Sequence, residues 1–156
     1  MILNEFSAKK LGEVAAFARV GIETLVKGRN ALSPILAVGD TITLFEEHEK
    51  SLQGLAEGYG VMEVFTTKTS TTSDKLRQMR DMYVGEEWGN PTELLEWFGF
   101  FEGAAIVHWG LVLGVGEGKD DQILKDLASS AIHIHEGLLA EARANLQKTG
   151  SGKAVL

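Results

Sequence analysis

The chain has 156 residues, is 44% hydrophobic and 24% charged, carries a net charge of -7 and contains no cysteine. That length makes one ordinary domain. The acidic balance speaks against binding nucleic acid or an anionic membrane surface. The lack of thiols excludes disulfides, thiolate zinc sites, iron–sulfur clusters and a cysteine nucleophile. The opening MILNEFSAKKLGE has neither the basic region nor the apolar core of a secretory signal, so the expectation is a cytoplasmic protein.

Two prolines and long stretches without turn signals favour helices. Ser7 is placed to cap a first helix over about 8–29, in which Leu11, Val14, Ala18, Ile22 and Leu25 recur at spacings of three and four. Glu13 and Glu23 fall off that apolar stripe. Asn30 to Pro34 breaks it, because the residue before a proline avoids helical angles. A second helix is expected over 35–59, with Val38, Ile42, Phe45, His48, Leu52, Leu55 and Tyr59 along one seam and Glu49 at its edge. A long connector, 61–90, follows. Its polar run Thr66 to Ser73 reads as a mobile loop, and Ser73 or Asp74 as the cap of a short helix, Lys75 to Tyr83.

Asn90-Pro91-Thr92-Glu93 is a strong helix start, with asparagine as cap and proline in the first turn. The third helix, 91–116, is the most apolar stretch of the chain and contains Glu102 and His108. Its Gly99, Gly103, Gly110 and Gly114 form two Gly-x-x-x-Gly pairs. Such a run can span a membrane, but Glu96, Glu102 and the amphipathic neighbouring helices argue against it, so no membrane is expected. A helix apolar on most sides must be covered on most sides, and that points to a homodimer. After an acidic turn capped by Asp120, the fourth helix, 120–147, buries Leu124, Leu127, Ala131, Ile134, Leu138 and Ala142; Gly150 onward reads as a frayed tail.

These elements predict an all-α, four-helix bundle. The first two helices are joined tightly, as are the last two, whereas about thirty residues separate the pairs, far above the two to eight usual in bundles. Two hairpins joined by one long crossover between helices 2 and 3, here containing a short extra helix, resemble the ferritin-like superfamily.

Helical periodicity brings Glu102, His48 and His135 to the bundle interior, with Glu49 beside them and His108 and Tyr59 nearby; His133 points outward. The strings His48-Glu49-Lys50-Ser51-Leu52 and His135-Glu136-Gly137-Leu138-Leu139 share the pattern H-E-x-x-L, one in each hairpin. Imidazole and carboxylate are ligands for iron, manganese or zinc. The ferritin-like resemblance implies a metal-binding or redox-related protein, with oxygen or peroxide chemistry if the metal is iron; Glu102 matches a ligand position of that family, and His48, His135 and Glu49 are the further ligand candidates that the inward faces supply. The chain departs from the di-iron pattern of that family, for no Glu-x-x-His occurs in it. The alternative is a non-catalytic bundle with a hydrogen-bonded His/Glu core that binds a partner protein. An apolar or haem pocket lined by Trp97, Phe98, Phe101 and Trp109, with His108 as axial ligand, is a third reading. Hydrolase, phosphate-loop and dinucleotide fingerprints are absent.

Overall fold

Six helices follow one another in a computed structural model that describes residues 2–155: α1 (Glu5–Lys27), α2 (Arg29–Leu32), α3 (Val38–Gly58), α4 (Met62–Val84), α5 (Pro91–Gly118) and α6 (Gln122–Ala154). The described residues contain no strand. The expected all-α class holds, with changes at the element level, among them a short helix, α2, where Asn30 to Pro34 was expected to be a plain break.

The larger change is α4. The connector expected to be a mobile loop with a short helix is one continuous helix of 23 residues. No glycine or proline interrupts Met62 to Val84, and the threonine hydroxyls turn back onto the helix. Thr69 Oγ1 donates to the Phe65 carbonyl at 2.7 Å and Thr71 Oγ1 to the Thr67 carbonyl at 3.0 Å. Ser73 is buried mid-helix instead of capping one. A polar, low-complexity sequence folds here because Phe65, Thr69, Thr72, Leu76 and Val84 lie on one face, against α1.

That contact changes the role of α1. It packs on α3, α4 and α5, and every residue from Leu11 to Ala18 is buried. The close approaches run through glycine. A Cβ on Gly12 would come within 2.9 Å of the Phe65 carbonyl oxygen, and one on Gly21 within 2.7 Å of the Phe45 ring. α1, rather than the apolar α5, is the central helix.

The caps of α1 and α6 are set one to three residues away from expectation. Asn4, not Ser7, caps α1, its side chain accepting from the Ser7 N–H at 2.8 Å. Asn90 caps α5 as expected, accepting from Thr92 and Glu93. Asp121, not Asp120, caps α6, because Asp120 adopts a left-handed φ of 52° to make the tight turn. The tail expected to fray from Gly150 continues helical to Ala154, past the last buried residue, Ala142. No proline stops it, and the backbone ladder runs on.

Contact pairs fix directions. Phe45 meets Gly21 while Glu49 meets Arg19, so α3 runs antiparallel to α1. Phe17 meets Phe101 and Gly28 meets Leu94, so α5 is also antiparallel to α1. Glu13 meets Lys68 and Glu23 meets Arg77, so α4 runs parallel to α1. Glu102 meets His135 and Gly116 meets Lys125, making α5 and α6 an antiparallel hairpin. The sequence α1, α3, α5, α6 is therefore up, down, down, up. The turns between long helices use left-handed glycines, Gly60 (φ 69°) after α3 and Gly85 (φ 57°) after α4.

Candidate functional site

Three ionisable side chains from three helices converge inside the protein. His48 comes from α3, Glu102 from α5 and His135 from α6; they are 5%, 0% and 1% exposed. The apolar spacing of each helix delivers them, since each sits on the buried stripe of its element. Glu102 Oε2 and His135 Nδ1 share a short hydrogen bond. With the carboxyl neutral its O–H donates to Nδ1; with the carboxylate charged the Nδ1–H donates to Oε2. The His48 and His135 rings stand 5.9 Å apart, so the two H-E-x-x-L strings do face each other across the core. Glu136 stays at the surface, exposed, and His133 is exposed as expected.

Aromatic rings enclose the cluster. Phe45 stacks on His135 at 5.3 Å, and Trp109 meets His48 edge-on at 5.4 Å. This apolar wall sets the electrostatics. Burial, helped by the neighbouring His135, pulls the His48 pKa down to about 4, so the ring is neutral at physiological pH. Burial pushes the Glu102 carboxyl up, and the attraction of His135 opposes this only in part. Two buried polar atoms of the cluster are left without a hydrogen bond: Glu102 Oε1 and His48 Nδ1.

The other expected residues lie elsewhere. Glu49 does not join the cluster; its Oε1 accepts from Arg19 Nε at 3.2 Å, in a small cavity where α1 and α3 meet Phe65 and Thr69 of α4. His108 faces α1, not the cluster. Its Nδ1–H donates to the Ala104 carbonyl at 2.7 Å, its Nε2 is 3.9 Å from Glu13, and its ring packs on Phe17. Tyr59 donates to Asp121 and ties the end of α3 to the start of α6. Burial and that bond raise the tyrosine pKa, and the bond lowers that of Asp121 against the opposing effect of burial.

Glu13 was expected off the packing face and is instead buried, beside Lys10, Lys68 and His108. Its burial follows from α4. The signal for a second packing face on α1 was its small residues, Ala8, Gly12, Ala15 and Ala16, which lie off the large-residue stripe. The aromatic pocket also sits elsewhere than expected. A cavity of about 600 Å³ takes Trp97 and Phe101 in its lining, together with Phe17, Met79, Met82 and Phe100, between α1, α4 and α5. Phe98, Trp109 and His108 are not part of it, so no histidine stands ready as an axial ligand there.

Among the described residues, no group of three or more histidine and carboxylate side chains is already set at metal-ligand spacing. α5 is long and apolar enough to cross a membrane by length and composition, and only 33% of its apolar window is buried within the chain. Fold and site together define an all-helical protein with a carboxylate–imidazole cluster sealed in an aromatic core. No protein-family model, curated protein or solved structure matches the chain.

Proposed function

We propose that the chain is a metal-binding, redox-related helical bundle of the ferritin-like kind, with His48, Glu102 and His135 as the protein ligands. The observation that carries this reading is the pair of orphaned atoms. Glu102 Oε1 and His48 Nδ1 are both buried without a partner inside one three-helix cluster. A buried polar atom without a hydrogen bond costs about 1–3 kcal/mol. A divalent cation would satisfy a carboxylate oxygen and an imidazole nitrogen at once. Two imidazoles and one carboxylate are the donor set that zinc and non-haem iron accept. His48, kept neutral by burial, is in the protonation state a ligand needs. A redox-active ion held here would supply electron exchange with oxygen or peroxide; zinc would supply a Lewis acid. The up-down-down-up order of α1, α3, α5 and α6, with one long connection between hairpins, also supports the ferritin-like reading.

The Glu102–His135 hydrogen bond favours a second reading, in which the pair is a self-sufficient polar core of a protein whose role is association. Elemental analysis separates the two. Chain purified without chelator should carry about one equivalent of zinc, manganese or iron. Glu102→Gln, which keeps a hydrogen-bonding group beside His135, should lose it while remaining folded. Wild-type protein that stays metal-free after dialysis against each ion in turn would sink the metal reading and leave the structural one.

A further inference from the structure

α5 presents an outward face that nothing else among the described residues covers. Phe100, Val107 and Leu111 are 66%, 71% and 39% exposed. Between Trp97 and Gly116 the only ionisable side chains of α5 are Glu102 and His108, and both turn toward other helices. The outer side of a surface helix is ordinarily polar. Beside the Phe100–Val107–Leu111 ridge runs a stripe of Gly99, Gly103, Gly110 and Gly114, which at 100° per residue fall within a sector of about 60°. A Cβ on any of the four would meet nothing within 4 Å, so no helix of this chain uses their smallness. Toward α6 the stripe opens into a groove of about 640 Å³, completed by Leu139 and Leu146.

We propose that a second copy of the chain closes this face, with α5 pairing antiparallel to itself about a two-fold axis at Val107. The register follows from the spacing. Phe100 and Gly114 are equidistant from Val107, as are Gly103 and Leu111. The two-fold axis therefore sets each Phe100 over the partner's glycine stripe at Gly114 and each Leu111 over Gly103, large side chains into small positions. A parallel pair would stack Phe100 on Phe100 and leave glycine facing glycine. With the flanking Met79, Met82 and Tyr83, which are 48%, 81% and 38% exposed, the ridge leaves on the order of 700 Å² in water per chain. A standard interface takes about 800 Å² per partner.

The pairing does not depend on the metal reading, and the test runs in the presence of a chelator. Sedimentation of the full chain at micromolar concentration should show a dimer. Gly103→Leu combined with Val107→Glu should raise the dissociation constant at least about a hundredfold, with helicity unchanged. Ile123→Glu, an equally exposed apolar position on α6, should leave the dimer intact. Because the chain has no cysteine, single thiols report the register cleanly. With a short bis-maleimide linker, Val107→Cys and the double variant Phe100→Cys/Gly114→Cys should join two chains, and Phe100→Cys alone should not. Wild type that stays monomeric overturns the proposal. So does a dimer that survives Gly103→Leu/Val107→Glu, or Phe100→Cys joining to itself. Monomer that floats with neutral phosphatidylcholine vesicles assigns the face to lipid and overturns it as well.

Discussion

Protonation of His48 and ionisation of Glu102 are both opposed by the apolar wall around them, and the two act on stability in opposite pH directions. The His48 pKa is near 4 in the folded chain and 6.5 when unfolded. Between those values the unfolded chain binds a proton that the folded chain refuses. Its contribution is therefore complete above pH 6.5 and is lost as pH falls toward 4, by about 3 kcal/mol. The Glu102 pKa is raised by folding, so its contribution is complete below pH 4.5 and is lost as pH rises through the folded value. Urea unfolding from pH 4 to 8 reads both limbs. His48→Leu should remove most of the loss between pH 6.5 and 4, and Glu102→Gln should flatten the limb above pH 4.5. An unchanged acid limb in His48→Leu would show that another group carries it. Glu102→Ala leaves a cavity and strips His135 of its partner, so it should cost about 2–4 kcal/mol at neutral pH.

At the scale of elements, the glycines divide by what lies next to them. Gly21 has Phe45 against it, so Gly21→Ala forces an overpacked contact and should cost about 1–3 kcal/mol in urea unfolding. Gly137 on α6 has open space, and Gly137→Ala should stabilise by up to about 1 kcal/mol through helix propensity. A loss at Gly137 and none at Gly21 would contradict the packing described for α1. α4 makes the sharpest claim. Amides of Thr69 to Ser73 should be as protected from hydrogen exchange as those of α1, where a loop would exchange freely.

Sequence reasoning found α1, α3, α5 and α6 because each carries large apolar residues at three- and four-residue spacing. Of α4 only the stretch Lys75 to Tyr83 was legible, because the helix face before it is built largely of threonine and serine, residue types that favour turns when nothing packs against them. The unread first half of α4 hid the second face of α1, and with it the burial of Glu13. The site was legible where a polar residue sat in the middle of an apolar stripe, as Glu102, His48 and His135 do. It was illegible at stripe edges, where Glu49 and His108 turned to Arg19 and Glu13.

For the whole molecule, the arrangement of helices and the core cluster have one explanation in common. α1 anchors α3, α4 and α5, and the long α4 lets α3 and α5 run the same way. That direction brings His48, Glu102 and His135 together from helices far apart in sequence. The metal reading rests on this convergence and on its two unpartnered atoms, so the histidine ring nitrogens report it most directly. Long-range proton–nitrogen correlation spectra of the labelled chain should be recorded at neutral pH as zinc is added to one equivalent. Ring nitrogens of His48 and His135 should shift in parallel and reach their end point at one equivalent, with His108 and His133 unmoved. Shifts confined to His108 and His133, or none at any ring, would contradict the account.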